Sequence, residues 1–361
     1  MGDGEEQSSF KPFVFEPGTK TQEGGLEMRK LVLLGIAVCF VVMALGIAAF
    51  AEEKKEIHIG VTVPGLFSPA FVEMKRQGEL KAQELGVKVT VVSAENDIDR
   101  QFEQVRDFIA AGVDGIVITT IDSHGIVKAV EEANKAGVPV ITVDRKSFGG
   151  EVFYHEETDN FNAGRLCAVY VAHLFKDNPG PIEIFIERLD PSVDSVEDRF
   201  QGFMFEVSQW PNLKVVAAPN LGMDVGKAFE ATINAFQANP NIKVIFLPGE
   251  PWLSGTVSAL KQLGKWFPRT DPNHIVMVGV DGDQFAVENM IEGYYDFSAV
   301  QAIDKFVANA IEVFVQYFRE GKKPPVKERY VPVLGLCPEN FDFIKDRVWG
   351  YRVYMEQKGK Q

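Results

Sequence analysis

Short apolar runs alternate with stretches of helical periodicity along most of this 361-residue chain. The alternation predicts repeated strand–helix units. Residues 57–63 read as a strand, and 69–85 as a helix stopped by Gly86. Residues 87–92, 114–119 and 138–143 read as further strands, separated by helices over 100–111 and 123–136. Ala111-Gly112-Val113 and Ala136-Gly137-Val138 repeat one junction, in which glycine supplies the left-handed residue that ends a helix. After a strand at 152–155 the rhythm restarts, with strands at 182–186, 214–217, 243–247 and 275–280. Helices begin near Phe161, Ser195, Asp224, Leu253 and Gln284. A strand at 296–300, a long helix over 303–319 and a strand at 330–333 complete the core. Continuous apolar strands between helices specify parallel sheets covered on both faces, so the fold class is α/β with two similar lobes.

Residues 1–51 stand apart from this rhythm. Met28-Arg29-Lys30 precedes an unbroken apolar run over 31–50, and the segment ends in Ala49-Phe50-Ala51. A basic start, an apolar middle and an A-x-A end predict a signal peptide over 28–51, cleaved before Glu52. The run is long enough to cross a bilayer, so an uncleaved anchor is the alternative. Residues 1–27 are polar and turn-rich, and Met28 reads as the true initiator. Val38 before Cys39 excludes a lipoprotein, which needs a small residue there.

Charge and cysteine content narrow the function. The chain is 46% hydrophobic with a net charge of −14. Residues 1–51 hold six acids and four bases, so −14 − (−2) leaves −12 on the remainder. Such a surface excludes nucleic-acid and anionic-membrane binding, because phosphate neutralisation is unavailable. Cys167 and Cys337 remain after processing. Export permits a disulfide between them, and two separate thiols are the preferred reading.

The usual signatures of chemistry are missing. Pro64-Gly65-Leu66-Phe67-Ser68-Pro69 follows the first strand, too apolar for a phosphate cradle. There is no P-loop and no G-x-S-x-G elbow. His58, His124, His155, His173 and His274 show no paired metal spacing, and Asp281-Gly282-Asp283 lacks the ligands of a calcium loop. No catalytic residue, metal or cofactor is expected. What remains suits a polar ring. Asp144 and Arg145 follow the strand at 138–143, where open α/β sheets place ligands. An isolated Asp-Arg pair also reads as a loop salt bridge. Its surroundings favour the ligand reading: Arg199, Asp281 and Gln301 also stand at strand ends or lobe starts. Phe67, Phe71 and Trp252 are candidates to cover the apolar faces of a sugar, and Glu250 adjoins Trp252. Phe71 lies on the first turns of a helix, where an aromatic is more often core than platform.

These motifs together resemble the ribose-type periplasmic sugar-binding proteins, the solute receptors of carbohydrate ABC transporters. The resemblance covers residues 57–333 and rests on motifs in order: Ser68-Pro69-x-Phe71, Val138-Pro139-Val140-Ile141-Thr142-Val143-Asp144-Arg145, and Thr158-Asp159-Asn160 with Ala163-Gly164. Arg199-x-x-Gly202-Phe203, Val278-Gly279-Val280-Asp281-Gly282 and Gln301 follow. It implies a type I periplasmic binding protein, two lobes joined by three crossovers that close on one sugar. Lobe 1 is expected over 56–156 plus 302–328, and lobe 2 over 157–301 plus 329–337. A C-terminal extension over 338–361 lies beyond the resemblance. Hinges are expected near 156–159, 301–303 and 327–330. Phe71 is then implied to stack on the ring, with Asp144, Arg145, Arg199, Asp281 and Gln301 bonding its hydroxyls. The implied partners are a monosaccharide or cyclic polyol and the membrane permease of an ABC transporter, with the receptor an exported monomer.

Departures from the ribose pattern point to a different ligand. Ala70 stands where ribose binders have a second aromatic, and Gly249-Glu250 where they have a ligand asparagine. Pro64 replaces a hydroxyl-bearing residue, and Met223 an aromatic. Lost bulk implies a larger ligand, such as a hexose or cyclic polyol. A sugar sensor for chemotaxis or signalling is the alternative within this class. A lac-type repressor requires a basic helix-turn-helix before this core, and residues 1–56 hold an apolar segment instead. A sugar-acting enzyme requires a cofactor loop or a close acid/base pair, and neither is visible.

Overall fold

The computed structural model describes Phe13, residues 56–222 and residues 224–359. The expected signal peptide and Met223 lie outside the described residues. The described residues from Glu56 onward form one compact unit.

Its first half follows the predicted alternation closely. Strands β1 (His58–Val63), β2 (Lys88–Ser93), β3 (Gly115–Ile118) and β4 (Val140–Val143) alternate with helices α1 (Pro69–Leu85), α2 (Ile98–Ala110) and α3 (Val127–Lys135). Strand β5 (Tyr154–Thr158) and helix α4 (Asn160–Leu174) then carry the chain into the second half. There β6 (Ile182–Ile186), α5 (Asp194–Val207), β7 (Leu213–Ala217), α6 (Lys227–Ala238) and β8 (Ile242–Leu247) repeat the pattern. Helix α7 (Leu253–Gln262), β9 (Val276–Asp281), α8 (Gln284–Ile291), β10 (Phe297–Val300) and α9 (Ile303–Glu320) follow. Short strands β11 (Glu328–Val331) and β12 (Leu334–Leu336) precede α10 (Phe341–Ile344) and α11 (Trp349–Lys358).

Two six-stranded sheets result, ordered β11-β5-β4-β3-β1-β2 and β12-β10-β9-β8-β6-β7. All pairings are parallel except β12 with β10. Strands β3, β4 and β9 are buried along their whole length, which is why their sequences read as apolar runs rather than alternations. Helix α9 returns to the first lobe and buries Phe306, Val307, Ala310, Ile311 and Phe314 at helical spacing against it.

Two expected boundaries are corrected. Residues 329–337 were expected in lobe 2, but Glu328–Val331 pairs with β5 and completes the first sheet. Only β12 joins the second. The third crossover therefore falls at residues 332–333 rather than 327–330. Likewise β5 belongs to the first sheet through Thr158, so the first crossover follows that residue. Strand β11 is almost wholly exposed, so no apolar pattern marks its sheet. Its membership is decided by hydrogen bonds to the open edge of β5. Cys167 and Cys337 are both free thiols, and Cys167 donates to the Gly279 carbonyl at 3.3 Å.

Helices α4 and α5 touch backbone to backbone in lobe 2. A β-carbon on Gly164 would lie 1.8 Å from the Arg199 carbonyl oxygen, and one on Gly202 1.9 Å from that of Phe161. Only glycine permits this approach. The crossing sets where Arg199 enters the space between the sheets.

Candidate functional site

Four of the predicted residues arrive at this space from the ends of buried strands or from the crossover. Asp144 follows β4 in a left-handed conformation, φ +64°, and Asp281 ends β9 at φ +140°. Positive φ is uncommon for a residue with a side chain, and such strain collects at functional sites. Arg145 follows Asp144, and Gln301 follows β10. Arg199 reaches the same space from α5.

The resulting cavity is lined by Phe67, Phe71, Asp144, Arg145, Arg199, Trp252, Asp281 and Gln301, all named from the sequence. Ala70 and Gly249, two of the departures from the ribose pattern, also line it. Pro64 does not.

The polar groups fall into two sets. Arg199 Nε donates to Asn160 Oδ1 at 2.8 Å, and Nη1 donates to the Pro248 carbonyl at 2.8 Å and to Asp281 Oδ1 at 3.4 Å. Gln301 Nε2 donates to Asp281 Oδ1 at 2.5 Å, and Thr158 donates to Gln301 Oε1 at 2.7 Å. These bonds fix Arg199, Asp281 and Gln301 in place, with Thr158 reaching Gln301 from the first lobe. The first-lobe set is less satisfied. Arg145 Nη1 donates to the Thr120 carbonyl at 3.2 Å, and its guanidinium lies 5.3 Å from the Phe71 ring centroid. Asp144 Oδ1 and Arg145 Nε are buried without a hydrogen-bond partner. Arg145 Nε also lies 3.6 Å from Asp144 Oδ2, the loop ion pair that the sequence admits.

Burial dominates the electrostatics. It pushes the Asp144 carboxyl up to about 6 against the pull of Arg145 and Arg199. Burial also raises Asp281, opposed by Arg199 and Gln301. The Arg145 guanidinium is lowered by burial, with Asp144 working against it.

Aromatic walls complete the cavity. Phe71 is buried, and Phe67 meets it edge to face at 6.1 Å while remaining 40% exposed at the mouth. Trp252 is buried with its indole N–H donated to the Asp224 carbonyl at 3.1 Å, so only its ring is available to the cavity.

Glu250 is the exception among the expected ligand contacts. Its carboxylate accepts from the backbone N–H groups of Gly282 and Asp283 at 2.7 and 2.8 Å and from the Ser298 and Tyr295 hydroxyls. It does not line the cavity. With its acceptor sites filled, it holds the turn after Asp281 instead. Burial, followed by the charges of Asp283 and Asp281, raises its pKa well above the carboxylate range.

Sequence reasoning passed over Ser68, Ser195, Leu189 and Val196, which line the cavity, and Asn160, which orients Arg199. Ser68 and Asn160 lay inside quoted motifs. Ser195 is the second residue of α5, and Leu189 sits in a loop, where no periodicity signals a direction. A second contact set joins the lobes nearby. Ser123 Oγ donates to Asp194 Oδ1 at 3.1 Å, and Lys146 lies 3.7 Å from Asp194 and 3.4 Å from Glu157. The lobes are therefore in contact across the cavity, a closed arrangement. Among the described residues no group of three or more His, Cys, Asp or Glu is placed to hold a metal ion, and no helix is long and apolar enough to cross a membrane.

Comparisons with known proteins agree with this architecture. The ribose import binding protein of Bacillus subtilis strain 168 is 32% identical over 238 residues, covering 66% of this chain and 74% of that protein. The ribose import binding protein of Escherichia coli strain K12 is 26% identical over 287 residues, covering 80% and 92%. A crystal structure of an ABC transporter periplasmic solute binding protein from Actinobacillus succinogenes 130z, with bound D-allose, matches with a TM-score of 0.72. It is 26% identical and covers 80% of this chain and all of that one. The family model for the periplasmic binding protein domain matches residues 59–323. The chain belongs to the periplasmic binding protein family.

Proposed function

We propose that this protein is an exported receptor that closes on one monosaccharide or cyclic polyol and presents it to the permease of an ABC importer. The carrying observation is the convergence of Asp144 and Arg145 from one lobe with Arg199 and Asp281 from the other on a single cavity walled by Phe71, Phe67 and Trp252. A ring with hydroxyls on its edge and apolar faces satisfies both features. Carboxylates accept its hydroxyl protons, guanidiniums donate, and Gln301 does both. Phe71, Phe67 and Trp252 bound the ring's apolar surfaces. A hexose or cyclic polyol is favoured over ribose because Ala70 and Gly249, which depart from the ribose pattern, both line the cavity. The names of the relatives, which include ribose and D-allose binders, agree with this class. Binding rather than catalysis is the activity, and the receptor acts as a monomer.

Two measurements test this reading together. In a thermal-shift panel of common hexoses, pentoses and inositols, one compound should raise the midpoint distinctly. A ligand at one hundred times its Kd adds about 2.7 kcal/mol of stability. With that compound, small-angle scattering should show a smaller radius of gyration, because a ligand held by both lobes favours the closed state. A tight-binding sugar that leaves the scattering profile unchanged refutes closure. A panel without any response refutes the sugar class.

Export is the second part of the reading. The apolar run before Ala49-Phe50-Ala51 is expected to be removed as a signal peptide. N-terminal sequencing of secreted material should begin at Glu52. A membrane-bound product retaining residues 31–50 supports an anchor instead.

A further inference from the structure

The C-terminal extension lies outside the residues matched by the family model, yet it reaches the binding site from behind. Trp349 is buried, 1% exposed, and its indole N–H donates to the backbone carbonyl of Asp281 at 2.9 Å. That carbonyl belongs to a residue held at φ +140°, a conformation that side-chain-bearing residues rarely adopt. The next residue of the extension presses on the same turn. A β-carbon on Gly350 would lie 2.1 Å from the Gly282 carbonyl oxygen and 2.4 Å from the Asp283 carbonyl carbon. Glu250 grips the turn through the Gly282 and Asp283 N–H groups. The Asp281 turn is thus held by the Glu250 carboxyl group and by the Gln301 backbone N–H, which donates to the same Asp281 carbonyl at 3.1 Å, and from the other side by the Trp349-Gly350 pair of the extension.

The extension is itself anchored. Arg352 pairs with Asp304 at 2.6 Å, on the first turn of α9 just past the second crossover. Lys358 lies 3.6 Å from Glu288 on α8. None of the extension lines the cavity.

We propose that Trp349 and Gly350 are positioning residues for ligand binding: docked on the turn, they hold Asp281 in the strained backbone conformation that aims its carboxylate at the ligand. The proposal rests on the reading of Asp281 as a ligand contact. An unstrained Asp281 would swing its carboxylate away from Arg199 and Gln301, and affinity would fall without loss of the fold.

The test is a double-mutant cycle on the full-length mature protein, with the sugar or polyol that gives the largest thermal shift. Trp349→Phe keeps the buried ring and removes the N–H donor. It is expected to weaken binding about three- to tenfold while the ligand-free thermal midpoint moves little. Asp281→Asn is expected to weaken binding further, and adding Trp349→Phe to it should cost nothing more. In a Phe71→Ala background the Trp349→Phe factor should persist in full, because Phe71 does not depend on the turn. Arg352→Gln, a milder change on the partly exposed side of α11, should weaken binding in the same direction by a smaller factor. The proposal is overturned if Trp349→Phe and Arg352→Gln both bind as tightly as the wild type. It is also overturned if the Trp349→Phe factor is undiminished in the Asp281→Asn background. Asp281→Asn binding as tightly as the wild type removes Asp281 from the site, and the proposal falls with that reading.

Discussion

Replacing Arg199 with alanine is expected to weaken sugar binding by about tenfold to a hundredfold. A charge-assisted hydrogen bond contributes roughly 1.5–3 kcal/mol, and 1.4 kcal/mol is a factor of ten in affinity. The guanidinium is fixed by Asn160 and the Pro248 carbonyl, so its remaining donors are presented without an entropy cost at binding. It also opposes the effect of burial on the Asp281 carboxyl. Its loss therefore removes a donor and weakens the ionisation of a neighbouring acceptor. Arg199→Lys should recover little, because an ammonium cannot reach Asn160 and Pro248 in one plane. Calorimetry with the best ligand from the panel measures both variants, and far-ultraviolet circular dichroism confirms that each is folded. Affinity within twofold of the wild type for Arg199→Ala would reduce the residue to a structural partner of Asp281.

The second large effect concerns stability rather than binding. Glu187, just past β6 in lobe 2, is buried and accepts from the Thr232 and Thr256 hydroxyls. Its second carboxyl oxygen has no partner. Burial pushes its pKa up to about 8, against the opposing influence of the two threonines. Between its unfolded value near 4.5 and about 8 the folded state holds a proton that the unfolded state has released. Unfolding then releases a proton, and stability falls as pH rises through that window. One pKa unit corresponds to about 1.4 kcal/mol, so the whole window is worth on the order of 5 kcal/mol. Glu187→Gln removes the titration while keeping the shape. The variant should match the wild type near pH 4.5 and exceed its melting temperature by roughly 10 °C near pH 8, at about 2 °C per kcal/mol for a chain of this size. Melting curves that run parallel for the two proteins from pH 5 to 8.5 would contradict a neutral buried Glu187.

Much of this architecture is legible in the residues themselves. The helical and apolar periodicities are local properties, and they located nearly every strand and helix to within a few residues. Parallel sheets followed, and with them the rule that ligands gather at strand ends. Asp144, Arg145, Asp281 and Gln301, which line the cavity, stand out in the sequence because they directly follow or end apolar runs. Arg199 was found from its place in an ordered motif. Membership of the family could be read from the order of such motifs.

The remaining features depend on partners far apart in the chain. Glu250 and Asp281 are both acids near strand ends, and nothing local separates them. The Gly282 and Asp283 N–H groups converge on Glu250 and engage its carboxylate, whereas Asp281 is left facing Arg199 and the cavity. Strand β11 lacks an apolar stripe, so only its pairing with β5 assigns it to the first sheet. The extension after residue 337 carries no motif, and Trp349 acquires meaning only because folding brings it to a carbonyl 68 positions earlier. Periodicity records which face of an element is buried. Which distant donor meets which acceptor is decided when the lobes pack, and the ligand-facing chemistry depends on that.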